Sequence, residues 1–115
     1  MTKVSTTQKS LNYLRERGYL VAKTEQWNAF AKIRIDAYGI IDMIAIKTGE
    51  NGVLGVQSTT KGSVDAHVDK ALYDCGVALK TWLLCGNKFV IHGWDGDELE
   101  ITTLIIKNDL IMRGD

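Results

Sequence analysis

The sequence lacks the marks of membrane-spanning, secreted and disulfide-rich proteins. It has 115 residues, no proline and two cysteines, Cys75 and Cys85, which are too few for a disulfide framework. No apolar run approaches the roughly 20 residues of a membrane helix, and residues 1–10 contain no apolar stretch typical of a secretion signal. We therefore expect an intracellular, cytoplasmic protein without a membrane partner, folded as a single domain over residues 1–115.

Charge is balanced overall but unevenly distributed along the chain. The sequence has 14 Lys and Arg against 14 Asp and Glu. Residues 1–36 carry seven basic and three acidic side chains, so the remainder of the chain has a matching excess of acidic ones. Such asymmetry permits a basic face on a neutral protein. Scattered, solvated charge is the alternative explanation, and in small proteins it is the more common one.

Hydrophobic periodicity predicts a mixed α/β domain. Apolar spacing indicates a helix over 5–17, a strand over 19–25 and, after an ambiguous loop at 26–36, a strand buried on both faces over 39–46. A turn leads to a strand over 53–60, then to a helix from Ser63 that Gly76 breaks or kinks, and then to strands over 89–94 and 99–106. The tail from residue 107 has no assigned structure. The order αβββαββ favours an α/β sandwich with a mixed sheet.

Asp42 is the unusual residue of the apolar segment 39–46. A buried carboxylate costs several kcal/mol unless something compensates its charge. On the neighbouring strand, Gln57 and Thr59 project from one face, and Lys61 joins them if the strand continues that far. Polar side chains are thereby concentrated on one side of an otherwise apolar hairpin.

This polar set has the donor types of a magnesium site. Oxygen ligands from Asp42, Gln57 and a backbone carbonyl near Ser58 suit Mg²⁺, and Lys61 would steady the charge that develops on a phosphodiester. In the alternative interpretation, Asp42 marks a strand end and caps a turn, while Gln57 and Thr59 are half-exposed strand residues. The residues alone leave both interpretations open.

One stretch of the sequence carries a resemblance to a known family. Arg34-x-Asp36-x-Tyr38-Gly39-Ile40-Ile41-Asp42-Met43-Ile44-Ala45-Ile46, followed by Gly55-Val56-Gln57-Ser58-Thr59-Thr60, resembles the core of the PD-(D/E)XK nuclease superfamily. More narrowly, it resembles the Holliday-junction-resolvase-like proteins of phages and prophages, over residues 10–95. The resemblance implies a restriction-endonuclease-like mixed β-sheet flanked by helices, a Mg²⁺ or Mn²⁺ cofactor, and hydrolysis of branched or duplex DNA.

The family's site residues transfer to this chain one by one. Asp42 matches the metal-binding aspartate, and Gln57 matches the second acidic ligand, which is glutamine in some restriction-type families. Thr59 stands where the catalytic lysine belongs, and Lys61 would substitute for that lysine. Glu16 matches an additional carboxylate on the first helix, for which Glu25 is a weaker stand-in. Gln57 and Thr59 thus depart from the usual Glu-x-Lys, and an inactive module that binds DNA or a protein partner is the alternative.

Basic and aromatic residues near the proposed site are candidates for contacts with DNA. Lys23, Lys32 and Arg34 would contact phosphates, and Trp27 would stack on a base. Resolvase-like proteins act on two strands, so we expect a homodimer. His67 and His92 have no zinc-type spacing with the cysteines. A third hypothesis is a structural or inhibitory phage protein that binds another protein.

Overall fold

The computed structural model is a mixed α/β structure, and it describes residues 4–24, 26–31 and 33–114. The helices within these residues are α1 (Thr6–Glu16), α2 (Val64–Asp69) and α3 (Gly76–Leu84). The strands are β1 (Leu20–Lys23), β2 (Gln26–Asn28), β3 (Ile33–Ile35), β4 (Met43–Ile46), β5 (Leu54–Thr60), β6 (Lys88–Asp95), β7 (Glu98–Lys107) and β8 (Leu110–Gly114). A 3-10 turn (Lys61–Ser63) precedes α2, and a π-helical turn (Lys70–Asp74) follows it.

A six-stranded mixed sheet in the order β1-β4-β5-β6-β7-β8 forms the centre of the molecule. Neighbouring strands are antiparallel, except that β5 and β6 run parallel and are joined by the α2–α3 segment. A parallel pair needs such a long crossover connection, whereas antiparallel neighbours can be joined by short turns. Strands β2 and β3 form a separate two-stranded sheet.

Helices cover both faces of the sheet, and each face has its own apolar core. Leu11 and Leu14 of α1 pack on Met43, Ala45 and Val56. On the opposite face, α2 and α3 cover a larger core. Its fully buried members include Ile40, Ile41, Ala71, Leu79, Phe89 and Ile91. Alternation along β5 therefore sends Val56 towards α1, and Gly55 and Gln57 towards the α2–α3 side.

The first helix, the two hairpin strands and the final strand pair agree with the sequence prediction. The break in the second helix also agrees, because α3 begins at Gly76. The segment 26–36 is different: it holds a short hairpin, β2 and β3, where a loop leading into a strand was expected. The tail forms β8, which pairs with β7. Within the described part of the chain, no helix combines the length and hydrophobicity that a bilayer crossing requires.

The apolar segment 39–46 is only partly a strand. Tyr38 and Gly39 have φ values of 55° and 80°, a left-handed conformation that turns the chain and that glycine adopts without a steric penalty. Ile41 bonds back to Ala37, and β4 starts only at Met43. Ile40 and Ile41 are apolar because they pack beneath α2 and α3, so the long apolar run reflects burial of a turn as well as of a strand.

A buried polar network attaches α1 to the sheet. Ser10 Oγ lies 2.8 Å from Nδ1 of His92 and 2.9 Å from Oγ of Ser58, and Nε1 of Trp94 donates to Ser10 at 2.9 Å. Tyr13 packs edge-on against the His92 ring. Each hydroxyl is thus satisfied, as buried polar groups must be. His92 is buried in this network, which gives it a structural role.

Burial has an electrostatic consequence at His92. Loss of solvation, with a smaller contribution from the positive charge of Arg17, lowers the pKa of His92 from 6.5 to about 4. The unfolded chain therefore binds a proton at this residue between about pH 6.5 and pH 4, where the folded chain does not. Stability rises with pH across that window.

We expect the His92→Asn variant to lose much of this pH dependence, since asparagine keeps a partner for Ser10 but does not titrate. Between pH 7.5 and pH 4, the free energy of unfolding of the wild type should fall by about 3 kcal/mol more than that of the variant. Urea denaturation followed by tryptophan fluorescence measures it. His67→Asn, which removes a less buried imidazole, should keep most of the wild-type slope. Parallel curves for wild type and His92→Asn would contradict the assignment.

Candidate functional site

Asp42 lies directly before β4 and is hydrogen-bonded to both neighbours of Gln57. Its backbone N–H donates to the Val56 carbonyl at 2.9 Å, and its Oδ2 accepts the backbone N–H of Ser58 at 2.8 Å. The carboxylate is 5% exposed. A backbone donor thus offsets part of the cost of burying the charge. The alternative expectation, that Asp42 marks a strand end, is correct about its position and compatible with the predicted site.

Gln57 is the polar residue at the centre of β5. It is 3% exposed and lies on the face covered by α2 and α3, because Val56 and Ser58 on either side of it point towards α1. Its Oε1 is buried and has no hydrogen-bond partner among the described residues. An unpaired buried oxygen costs about 1–3 kcal/mol, so this atom marks a place where a donor or a cation would be stabilising.

The residues after Gln57 fit the expectation only in part. The Ser58 hydroxyl points to the opposite face, where it meets Ser10, so only the backbone of Ser58 is available near Asp42. Thr59 shares the face of Gln57 and is half-buried, but it carries no charge. The space expected beside Gly55 is filled, because a Cβ there would lie 3.1 Å from Ile41 and 3.2 Å from Trp82.

Lys61 does not extend the strand, so the condition under which it would join Gln57 and Thr59 is not met. The strand ends at Thr60, and Lys61 opens the 3-10 turn. Its Nζ lies 3.7 Å from Oε2 of Glu100 in an exposed ion pair. Because the backbone changes direction at this point, the alternation that would have placed Lys61 beside Gln57 no longer applies.

Glu16 lies on the other layer of the molecule. It is exposed in the last turn of α1 and lines a shallow cavity together with Lys9, Asn12 and Trp94. Helix α1 covers the face opposite to Gln57, so the structure does not bring the Glu16 carboxylate together with the Gln57 carboxamide. The sequence showed the helix but not which face of the sheet it would cover.

Of the residues expected to contact DNA, Lys23 is the one whose side chain is described. It is exposed at the end of β1, where it pairs with Met43. The next residue, Thr24, donates its backbone N–H to the Asp42 carbonyl at 2.8 Å, so the end of β1 adjoins Asp42. Lys23 itself shares the α1 face with its partner Met43, opposite to the face of Gln57. Glu25, Lys32 and the side chains of Trp27 and Arg34 lie outside the described residues.

His67 on α2 is a polar residue of this face that sequence reasoning set aside. Its Nδ1 is buried without a partner among the described residues. Burial first, and the positive charge of Lys70 second, lower the pKa of His67, while the negative charge of Asp36 acts in the opposite direction. No spacing motif in the sequence indicates this histidine, because α2 and β5 approach each other only in the folded chain.

The described residues contain no set of three or more histidine, cysteine, aspartate or glutamate side chains placed to hold a metal ion. Any cation here would depend on donors of other types, such as the Gln57 carboxamide and backbone oxygens. Comparisons with protein-family models, with curated proteins and with solved structures give no match to this chain.

We expect Asp42→Ala to lower the free energy of unfolding by about 1–3 kcal/mol, because it leaves the buried N–H of Ser58 without its acceptor. Asp42→Asn keeps a carbonyl oxygen at that position and should cost less. Urea denaturation at pH 7 measures both variants. An alanine variant as stable as the wild type would show that the Asp42–Ser58 hydrogen bond is not what compensates the buried carboxylate.

Proposed function

We propose that this chain is a metal-dependent DNA endonuclease of the PD-(D/E)XK type, resolvase-like, that hydrolyses phosphodiester bonds of branched or duplex DNA. One observation carries the proposal. Asp42 is hydrogen-bonded to both neighbours of Gln57, and Gln57 presents a buried oxygen without a partner among the described residues. Carboxylate and carboxamide oxygens are donors that a hard cation prefers.

The order of elements supports the same proposal. If the separate β2–β3 hairpin and the final strand β8 are set aside, the chain runs helix, three strands, helical segment, two strands, the order predicted from the hydrophobic periodicity. Asp42 directly precedes the second strand of this series, and Gln57 lies on the third. Strand β8 is an addition at the edge of the sheet. A restriction-endonuclease-like fold is consistent with this arrangement, and we propose it.

The site residues would divide the chemistry as follows. Asp42, Gln57 and a backbone carbonyl near Ser58 would hold Mg²⁺ or Mn²⁺. A bound cation of this kind polarises a phosphodiester and lowers the pKa of water. Asp42 supplies the one negative charge among these donors, and its Ser58 hydrogen bond keeps the carboxylate in place. Thr59 offers a neutral hydroxyl where the family has a catalytic lysine.

The remaining features of the proposal concern partners. Lys23, exposed at the end of β1, would contact the DNA backbone, together with Trp27, Lys32 and Arg34. Strand β8 is the edge of the main sheet, and Leu110 and Met112 on it are exposed. An edge strand offers unpaired backbone groups, so we place a homodimer contact there. A DNA substrate also places the protein inside a cell, as expected for a resolvase-like phage protein.

A second candidate function is DNA binding without cleavage. It is favoured by the position of Lys61, which pairs with Glu100 beyond the strand end, and by the neutral Thr59. Without a lysine next to Gln57, the charge on a scissile phosphate would lack one source of stabilisation. The module would then bind DNA mainly through phosphate contacts, with a steep dependence on salt.

Cleavage of four-way junctions and linear duplex in Mg²⁺ or Mn²⁺ tests the proposal. We expect Asp42→Asn to cut at least about 100-fold more slowly than wild type, since a cation site is worth several kcal/mol in the transition state. Gln57→Glu and Thr59→Lys should each increase the rate. Glu50→Gln, in the exposed turn at the opposite end of β4 from Asp42, is the matched control and should cleave like wild type.

Two outcomes would overturn the endonuclease proposal. The first is equal cleavage by wild type and Asp42→Asn. The second is salt-sensitive DNA binding with no cleavage by wild type, Gln57→Glu or Thr59→Lys. In that case, unchanged affinity of Asp42→Asn would establish the binding module instead.

A further inference from the structure

A small cavity opens between α3 and the turn that precedes β4. Its volume is about 390 Å³, within the range of roughly 300–1,000 Å³ that is usual for small-molecule sites. The described residues that line it all have uncharged side chains: Tyr38, Ala78, Thr81, Trp82, Cys85 and Asn87. Because these side chains offer no charge to pair with an ion or a phosphate, a neutral group is the occupant that suits the cavity.

Two aromatic rings form walls of the cavity. The ring centroids of Tyr38 and Trp82 are 6.4 Å apart, and the ring planes are inclined at 56°. The indole is held in place, since its Nε1 donates to the Lys88 carbonyl at 2.7 Å. Tyr38 is 64% exposed, so its ring can turn to stack on a flat group without disturbing the core. Aromatic faces of this kind suit a planar heteroaromatic ring.

Two polar side chains of the cavity add hydrogen-bonding capacity. Asn87 Oδ1 accepts the Val53 N–H at 2.9 Å, which assigns the orientation of the amide and leaves Nδ2 as a donor. Thr81 Oγ1 donates to the Val77 carbonyl at 2.9 Å, and its lone pairs remain acceptors. A donor and an acceptor beside aromatic faces match a nucleobase, whose edge carries both kinds of group.

The backbone conformation of Tyr38 also indicates a ligand site. Its φ of 55° lies in the left-handed region, which a residue with a bulky side chain rarely adopts. Residues in such conformations cluster at ligand sites, where the surrounding structure holds them. The strained position is therefore at the residue that supplies the exposed wall of the cavity.

The cavity lies on the same face of the sheet as Gln57. Trp82 packs over Gly55, since a Cβ on that glycine would be 3.2 Å from the indole ring. Gly55 and Gln57 are two residues apart on β5, so they share this face at a separation of about 7 Å along the strand. Tyr38 belongs to the same turn that ends at Asp42. The cavity and the candidate site are thus built on the same strand and the same turn.

From these observations we infer that the cavity between Tyr38 and Trp82 binds an unpaired nucleobase of the DNA substrate. The inference rests on the proposed function and names a feature of its substrate. Bases within a duplex are stacked and paired, so a base that enters a pocket must leave the stack, which costs least where it has no partner. The chain would therefore bind DNA that carries an unpaired base more tightly than fully paired duplex.

Fluorescence titration with two duplexes tests the inference, without divalent ions so that no strand is cut. One duplex carries a bulged 2-aminopurine, an adenine analogue whose emission falls when it stacks, and the other is fully paired. We expect Tyr38→Ala to weaken binding of the bulged duplex at least about fivefold, because a stacking surface is lost, and to leave binding of the paired duplex unchanged. Tyr38→Phe keeps the ring and should bind like wild type. Tyr73→Ala, which removes an exposed tyrosine outside the cavity, is the matched control.

A second measurement needs no change at Tyr38. Cys85 lines the cavity and is exposed, and Cys75 is the second cysteine of the chain. In the Cys75→Ser variant, one thiol remains to react with a maleimide. Saturating bulged duplex should slow that reaction severalfold, because the base occupies the cavity, whereas fully paired duplex should not.

Equal affinity of wild type and Tyr38→Ala for the bulged duplex would overturn the inference, and so would equal protection of Cys85 by both duplexes. Either result leaves the endonuclease proposal in place, since that proposal depends on Asp42. Binding of free adenosine that requires Tyr38, without binding of the bulged duplex, would overturn the assignment to DNA. Absence of binding to either duplex at low salt would overturn the inference together with the proposed function.

Discussion

The two hydrogen bonds of Asp42 to β5 are the constraint on which the candidate site depends. A carboxylate that is 5% exposed needs a donor, and the Ser58 N–H supplies it. The same contact, with the bond from Asp42 N–H to Val56, holds the end of the 38–42 turn against the strand that carries Gln57. The hydrogen bond that offsets part of the buried charge therefore also fixes the geometry of the candidate site.

Strand β5 carries two polar side chains, Gln57 and Ser58, that point to opposite faces of the main sheet. Ser58 points to α1 and joins a network in which Ser10, His92 and Trp94 satisfy one another. Gln57 points to the α2–α3 side and keeps an oxygen without a partner among the described residues. A satisfied buried network stabilises the docking of a helix, whereas the unpartnered oxygen of Gln57 is the observation behind the proposed cation site.

Much of the fold was predictable because each element carries its own local signal. The amphipathic spacing of α1, the turn at 47–52 and the strand pair β6–β7 follow from nearest-neighbour chemistry. The segment 39–46 was only partly predictable, since Ile40 and Ile41 are as apolar as strand residues but are buried in a turn. On the central strands the face from which each candidate side chain projects was predictable, because side chains alternate along a strand. At Lys61 it was not, because the strand ends before this residue.

By itself the sequence determined the mixed α/β class, most of the order of the elements, and the placement of Asp42 next to the strand that carries Gln57 and Thr59. These follow from periodicity and short-range turns, which are local properties of the chain. Only the tertiary structure decided which helix covers which face. That choice separated Glu16 from Gln57 and brought His67 to the same face as Gln57, because helix placement depends on core packing between residues distant in sequence.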